Sequence, residues 1–297
     1  MTFPAPSPVA RALPRRFEEL SALPDDAIDV ALGAALIARD VHPGLDAQGI
    51  VAQLDEMAAP LVGEGLSRAT PEHQAARLSA HIYGTLGFRG NEKDYYDPRN
   101  SLLSDVVERK MGIPITLAII YCEIARRAGV PANGVGFPGH FLVRIERPGM
   151  PGETESRGEP LFIDPFYAGR SLDEAALTRM VSRALGQDSI LKPEHLAAAS
   201  PRAVLMRVLT NLKAIYLQRG DHARAHLALD RIVTLAPNAA GALKERGLVA
   251  AKLGAAEAAR EDLSRVLELD PSASDAASIR AHLAKLGTTA AARKSLN

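Results

Sequence analysis

The chain has 297 residues, 47% of them hydrophobic and 24% charged, with 35 lysines and arginines against 35 aspartates and glutamates. That length and apolar content support two domains with a sizeable core and exclude a disordered or fibrous chain. A formal charge of zero removes the broad positive field that holds nucleic acid by its phosphates, and one cysteine allows no intrachain disulfide.

Residues 1–16, MTFPAPSPVARALPRR, are Pro-rich without the apolar run of a signal peptide, and predict a flexible tail. The longest apolar stretches, ALGAALIA and IPITLAIIYC, fall short of the roughly 20 residues that cross a bilayer, so a soluble cytoplasmic protein is expected. From residue 17 to 90 the pattern is helical. Ile28, Ala31, Leu32, Ala35 and Leu36 share one stripe, and Leu78, Ile82 and Leu86 share another. A polar loop rich in Gly, Asn, Asp and Pro follows, holding Arg89, Asn91, Tyr95, Tyr96 and Asn100. It reads as pinned to the core or as the lip of a pocket. A helix capped by Asn100 or Ser101 is then expected to run to Gly112. The next starts at Pro114, which suits a first helical position, and stops at Gly129. GVGF, HFLVRIE and LFIDPF read as strands, with RPGMPGETESRGEP as a solvated hairpin loop between the last two. Residues 17–190 are thus expected to form one core, helical over 17–90 and α+β with antiparallel pairing over 91–190.

Residues 191–202 read as a linker, and residues 203–297 repeat themselves. Gly220 aligns with Gly254, Ala225 with Ala259, Leu229 with Leu263 and Pro237 with Pro271, each pair 34 residues apart. That is the tetratricopeptide (TPR) period. The small alanines let the two helices of a repeat approach, the prolines end the second helix, and Tyr216 and Gly247 supply the large and small residues the pattern expects. SDAASIRAHLAKLG reads as a capping helix. Two repeats and a cap are few for a free-standing array, so this module is expected to lean on the core.

His140 opens one strand and Asp164 closes its expected neighbour, so a hairpin brings them side by side. An aspartate that accepts from one imidazole nitrogen leaves the other free as a base. The missing third member belongs at the start of a buried helix, where unpaired N–H groups stabilise a thiolate. Pro114 stands there. Cys122 lies eight residues further, about 12 Å along a helix, on a stripe with Ala118, Ile119 and Ala125, and reads as a core residue. Thr116 is nearer but needs a well-placed base. His81 and His195 are lone histidines. No zinc-type Cys/His spacing and no Gly-rich phosphate loop is present, so neither metal nor cofactor is expected.

LGFRGNEKDYYDPRNSLLSDVVERKMGIPITL, GVGFPGHFLVR and IDPFYAGRSL followed by TPR repeats resemble the bacterial SirB-type proteins, a transglutaminase-like core family with a TPR tail. The resemblance runs from about Ala31 into the second repeat. It implies a transglutaminase/papain-like α+β core, with His140 and Asp164 in the His and Asp places of a Cys-His-Asp triad and Pro114 in the Cys place. Three roles follow as expectations. The first is a non-catalytic adaptor whose TPR face, with Asn211, Lys213, Tyr216 and Lys244 as contacts, binds a protein or peptide while the core cleft takes a small ligand. The second is a hydrolase or acyltransferase of amide bonds that pairs His140 and Asp164 with a non-cysteine nucleophile, and the third is a structural subunit. The missing nucleophile favours the first over the second, and the repeat favours it over the third.

Overall fold

The N-terminal third is helical because its apolar residues recur at helical spacing and its caps are in place. In the computed structural model, which describes residues 16–147 and 159–294 with side chains as far as 286, it forms α1 (Phe17–Ser21), α2 (Val30–Val41), α3 (Ala47–Ala58) and α4 (Pro71–Ser79). Residues 1–15 of the expected tail and residues 148–158, most of the expected hairpin loop, lie outside the described residues. Asp29 caps α2 by accepting from Leu32 N at 2.9 Å, and Ala31 to Ala38 are all buried. A helix buried all round must be covered on several sides. Thr70 caps α4, with Pro71 at its first position, and α4 then widens into a π-helical turn over Ala80–Thr85 that carries Tyr83.

The middle of the chain departs from expectation at one helix start. Asn100 does not cap a helix, because its buried amide donates to Asp94 O at 2.7 Å and its Oδ1 accepts from Asn91 at 3.0 Å. Asp97 caps a short 3-10 turn there, and α5 (Leu103–Arg109) begins later. It ends at Lys110, left-handed at φ 56°, rather than at Gly112. Two short strands follow from this turn: β1 (Arg89–Gly90) pairs in parallel with β2 (Met111–Gly112). Then α6 (Pro114–Arg127) crosses the core, with Gly129 left-handed just past its end.

The main sheet is antiparallel, in the order β3 (Ala132–Val135), β4 (Leu142–Ile145), β5 (Leu161–Asp164), β6 (Arg170–Leu172). Val143 faces Ile163, and Arg170 stands opposite Asp164. Arg147 Nε donates to Glu159 O at 2.7 Å, which ties the two ends of the β4–β5 connection. Helix α7 (Glu174–Leu185) packs Leu177 and Val181 on the sheet.

Residues 191–202 are bound to the sheet rather than hanging between domains: Ala198 bridges Val135, and Ala199 N donates to Gly134 O at 2.8 Å. The helical array then runs α8 (Pro201–Gln218), α9 (His222–Leu235), α10 (Ala240–Lys252), α11 (Ala256–Leu269) and α12 (Ala276–Lys294). Ala225 and Ala259 are fully buried between paired helices, and a Cβ on Gly247 would lie 3.2 Å from Ala259 O. Helices α9 and α11 each stop two residues before their proline. Ile279 of α12 packs with Leu263 and Val266 and closes the far end.

The array does lean on the core. Leu205, Val208, Leu209, Leu212 and Tyr216 of α8 belong to the same apolar cluster as α2 and α6, whereas the cluster under α10–α12 is separate. A Cβ on Gly33 of α2 would stand 2.5 Å from Leu205 Cδ1, so α2 and α8 touch almost backbone to side chain. Polar ties border this seam. Arg202 donates to Ser21 O, Leu23 O and Leu235 O, each at 3.1 Å. Arg231 grips Asp40 with two bonds of 2.8 Å, and its guanidinium lies 5.2 Å from the Phe17 ring centre.

Candidate functional site

The turn before β4 and the end of β5 bring His140 and Asp164 together. His140 Nε2 lies 2.9 Å from Asp164 Oδ1, and Asp164 is 1% exposed. A carboxylate that deep needs several donors. Oδ1 also accepts from Phe166 N at 3.0 Å and Tyr167 N at 3.4 Å, and Oδ2 faces the Arg170 guanidinium at 3.8 Å. These bonds fix the carboxylate, and the carboxylate fixes the ring. With Nε2–H donated to Asp164, Nδ1 is the nitrogen left to act as a base.

Aromatic rings frame the pair. Phe166 meets His140 edge to face at 6.4 Å between centres, with Tyr95 at 5.9 Å and Tyr167 at 5.1 Å from Phe166. Phe166 fits because position 90 is glycine: a Cβ there would lie 2.7 Å from its ring. Tyr95, Tyr96 and Tyr167 are exposed, an apolar and hydrogen-bonding rim beside His140. The loop behind the rim is pinned as well as exposed. Asn91 and Asn100 hold it from within, and buried Asp97 pairs with Arg99 at 2.8 Å and Arg109 at 3.4 Å. Burial alone would raise the Asp97 carboxyl, but bonds from the Arg99 side chain and backbone, together with both arginine charges, hold it below the usual aspartate range.

At the start of α6 stand Pro114 at the first helical position and Thr116, fully buried, two residues on. The Thr116 hydroxyl donates to Asn100 O at 2.7 Å and accepts from Ile113 N at 3.2 Å. It therefore works as a cap that ties α6 to the 91–100 loop. Cys122 lines a different cavity, of about 530 Å³, walled by α6, β3 and residues 26–30; neither His140 nor Asp164 borders it. Burial, with Glu123 adjacent, pushes the Cys122 thiol up, the opposite of an activated cysteine. Tyr83 was not legible as a site residue. Its hydroxyl is buried without a partner among the described residues, and burial, then Tyr121 and Asp164, push it well above the usual tyrosine range.

A family model described as transglutaminase-like superfamily matches residues 48–210, and one described as tetratricopeptide repeat matches residues 212–284. A "UPF0162 protein" from Xylella fastidiosa (strain 9a5c) is 38% identical over 273 residues, covering 91% of this chain and 94% of the relative. The chain belongs to the transglutaminase-like, SirB-type family. Another member, from Vibrio cholerae, is 26% identical over 83% of this chain and 88% of its own length. "F-box only protein 21" of Homo sapiens is 32% identical over 144 residues, 47% of this chain and 21% of that protein. The two family matches meet inside α8, the helix that both the core and the array use.

Of the TPR residues expected to face a partner, Tyr216 is only 4% exposed and packs inside the seam, so its side chain is not a contact surface. Large residues at that repeat position serve helix packing here. Lys213 pairs with Glu245 at 2.6 Å, which ties α8 to α10, and Lys244 pairs with Asp275, which ties α10 to the start of α12; Asn211 is half-buried on α8. His81 bonds Met57 O at 2.7 Å, and the His195 ring accepts from Lys192 N at 3.2 Å, so both have structural work. Among the described residues no group of three or more His, Cys, Asp or Glu side chains is placed to hold a metal, and no helix is long and apolar enough to cross a membrane.

Proposed function

We propose that this family member is a cytoplasmic, non-catalytic adaptor or regulator: a transglutaminase-like core without its nucleophile, joined to a TPR array that binds a protein or peptide. The observation that carries this reading is the start of α6. Pro114 has no nucleophilic atom, and the adjacent hydroxyl, that of Thr116, is committed to Asn100 O and Ile113 N. Acyl transfer through a covalent intermediate needs an activated nucleophile within reach of its base. Stacked repeats supply an extended binding surface in its place. The contact face combines Asn211, Lys213 and Lys244 on α8 and α10, with the two lysines exchanging their internal carboxylates for acidic groups of the partner.

The second reading, a hydrolase or acyltransferase of amide bonds, is favoured by one observation: the His140–Asp164 pair is fully assembled, with its aspartate held by two backbone N–H groups. One comparison separates the two. The full chain and its Lys213→Ala/Lys244→Ala variant are assayed for partner capture, and the full chain and His140→Ala for turnover of glutamine-amide and peptide substrates. The adaptor reading expects capture weakened by the lysine changes and no turnover. Turnover that disappears with His140→Ala would overturn it.

A further inference from the structure

A second concavity lies one strand away from the His140–Asp164 pair. It has a volume of about 690 Å³ between β6 and α7, and its lining combines apolar Leu161, Leu172 and Met180 with Arg170, Arg179 and Arg183. Arg179 and Arg183 sit one turn apart on the same face of α7, and Arg170 reaches the opening from β6. Three guanidiniums around one opening repel each other unless negative charge lies between them. The described residues supply little. The side chains of Arg179 and Arg183 make no ion pair or hydrogen bond with another described residue, and Arg170 has the 3.8 Å approach to Asp164 and a guanidinium 5.5 Å from the Tyr167 ring centre. Asp173, the single carboxylate among the described lining residues, is used as the cap of α7, accepting from Ala176 N at 2.7 Å.

The guanidinium fork matches phosphate and carboxylate oxygens two at a time. The volume falls within the roughly 300–1,000 Å³ of small-molecule sites. We propose that this cavity is a binding site for a small polyanion bearing phosphate or carboxylate groups, held by Arg170, Arg179 and Arg183. The apolar side chains in its lining accept the carbon body of such a ligand. Arg170 also links the cavity to the dyad, because the guanidinium that would grip the anion is the one facing Asp164 Oδ2. Occupancy is therefore read at the His140 ring. The site goes beyond protein binding by the helical array and does not depend on it.

The test uses the full chain, titrated calorimetrically with inorganic pyrophosphate and, separately, with citrate, while His140 ring signals are followed by NMR. The expected result is saturable one-to-one binding of at least one of them, with the His140 signals moving to saturation in step. Tighter pyrophosphate binding identifies a phosphate ligand, and tighter citrate binding a polycarboxylate. Arg179→Gln/Arg183→Gln should weaken binding tenfold or more, Arg183→Glu alone should do likewise, and Arg265→Gln on α11 should leave it unchanged. All three positions are exposed, so the fold is kept, and an unchanged Tm checks this. Failure of both anions to bind saturably, or equal weakening by Arg265→Gln, would overturn the site.

Discussion

At position 114 the chain keeps what a helix start needs and lacks what acyl transfer needs: proline presets φ and spares an N–H, but carries no nucleophile. Two residues on, Thr116 does the capping, and its value is measurable. Thr116→Val keeps the shape and strands Asn100 O and Ile113 N in a dry site. Each orphaned group costs about 1–3 kcal/mol. Chemical denaturation should therefore show Thr116→Val destabilised by at least about 1 kcal/mol, and a neutral result would mean that the hydroxyl bonds are not made. The His140–Asp164 pairing was legible in the sequence because strand ends of a hairpin meet by topology. The surrounding set was not: Phe166 against Gly90, the Tyr95–Tyr96–Tyr167 rim and the Tyr83 hydroxyl join segments far apart in sequence, and only packing brings them together.

Among elements, the clearest in sequence were those with both ends marked. Pro114 and Gly129 bracket α6, and the repeat bracketed α9 and α11 with glycines before and prolines after. Elements whose signals are short or spent elsewhere escaped. The three residues of β6 are too few for a period, α5 starts late because Asn100 is occupied inside the loop, and the π-helical turn at 80–85 has no pattern of its own. The contact of α2 with α8 was likewise hidden, since a glycine within a helical run signals close approach only once the partner is known. Its energetics form a cycle. Leu205→Ala empties a fully buried position and should cost about 2–5 kcal/mol. Gly33→Ala sets a helix-propensity gain of about 1 kcal/mol against about 1–3 kcal/mol of overpacking, for a net loss of up to about 2 kcal/mol. In the double variant the new methyl enters the space left by Leu205, so urea titrations should give a loss smaller than the sum of the two. Additive losses would mean that the helices do not touch there.

For the molecule as a whole, the seam decides where the chain can be cut. Because α8 and α9 complete the core's apolar cluster, ending the chain at Ser200 removes Leu205, Leu209 and Leu212 from it and should abolish cooperative unfolding. Ending it at Asn238 spares that cluster and loses α10–α12, whose core is separate, so a cooperative transition should survive. Circular dichroism melts of the two truncations check this, and a stable chain ending at Ser200 would mean that the array is an appendage. Our proposal that Pro114 fills the nucleophile's place opposite the His140–Asp164 pair is tested most directly by putting a thiol there. Alkylation rate against pH is measured for Pro114→Cys in a Cys122→Ser background, with and without His140→Ala. A thiol at the helix start within reach of the imidazole should titrate below the ~8.5 of a free cysteine, and His140→Ala should move it back up. A thiol that titrates as a free cysteine, indifferent to His140, would mean that the start of α6 and the His140–Asp164 pair do not meet as a triad.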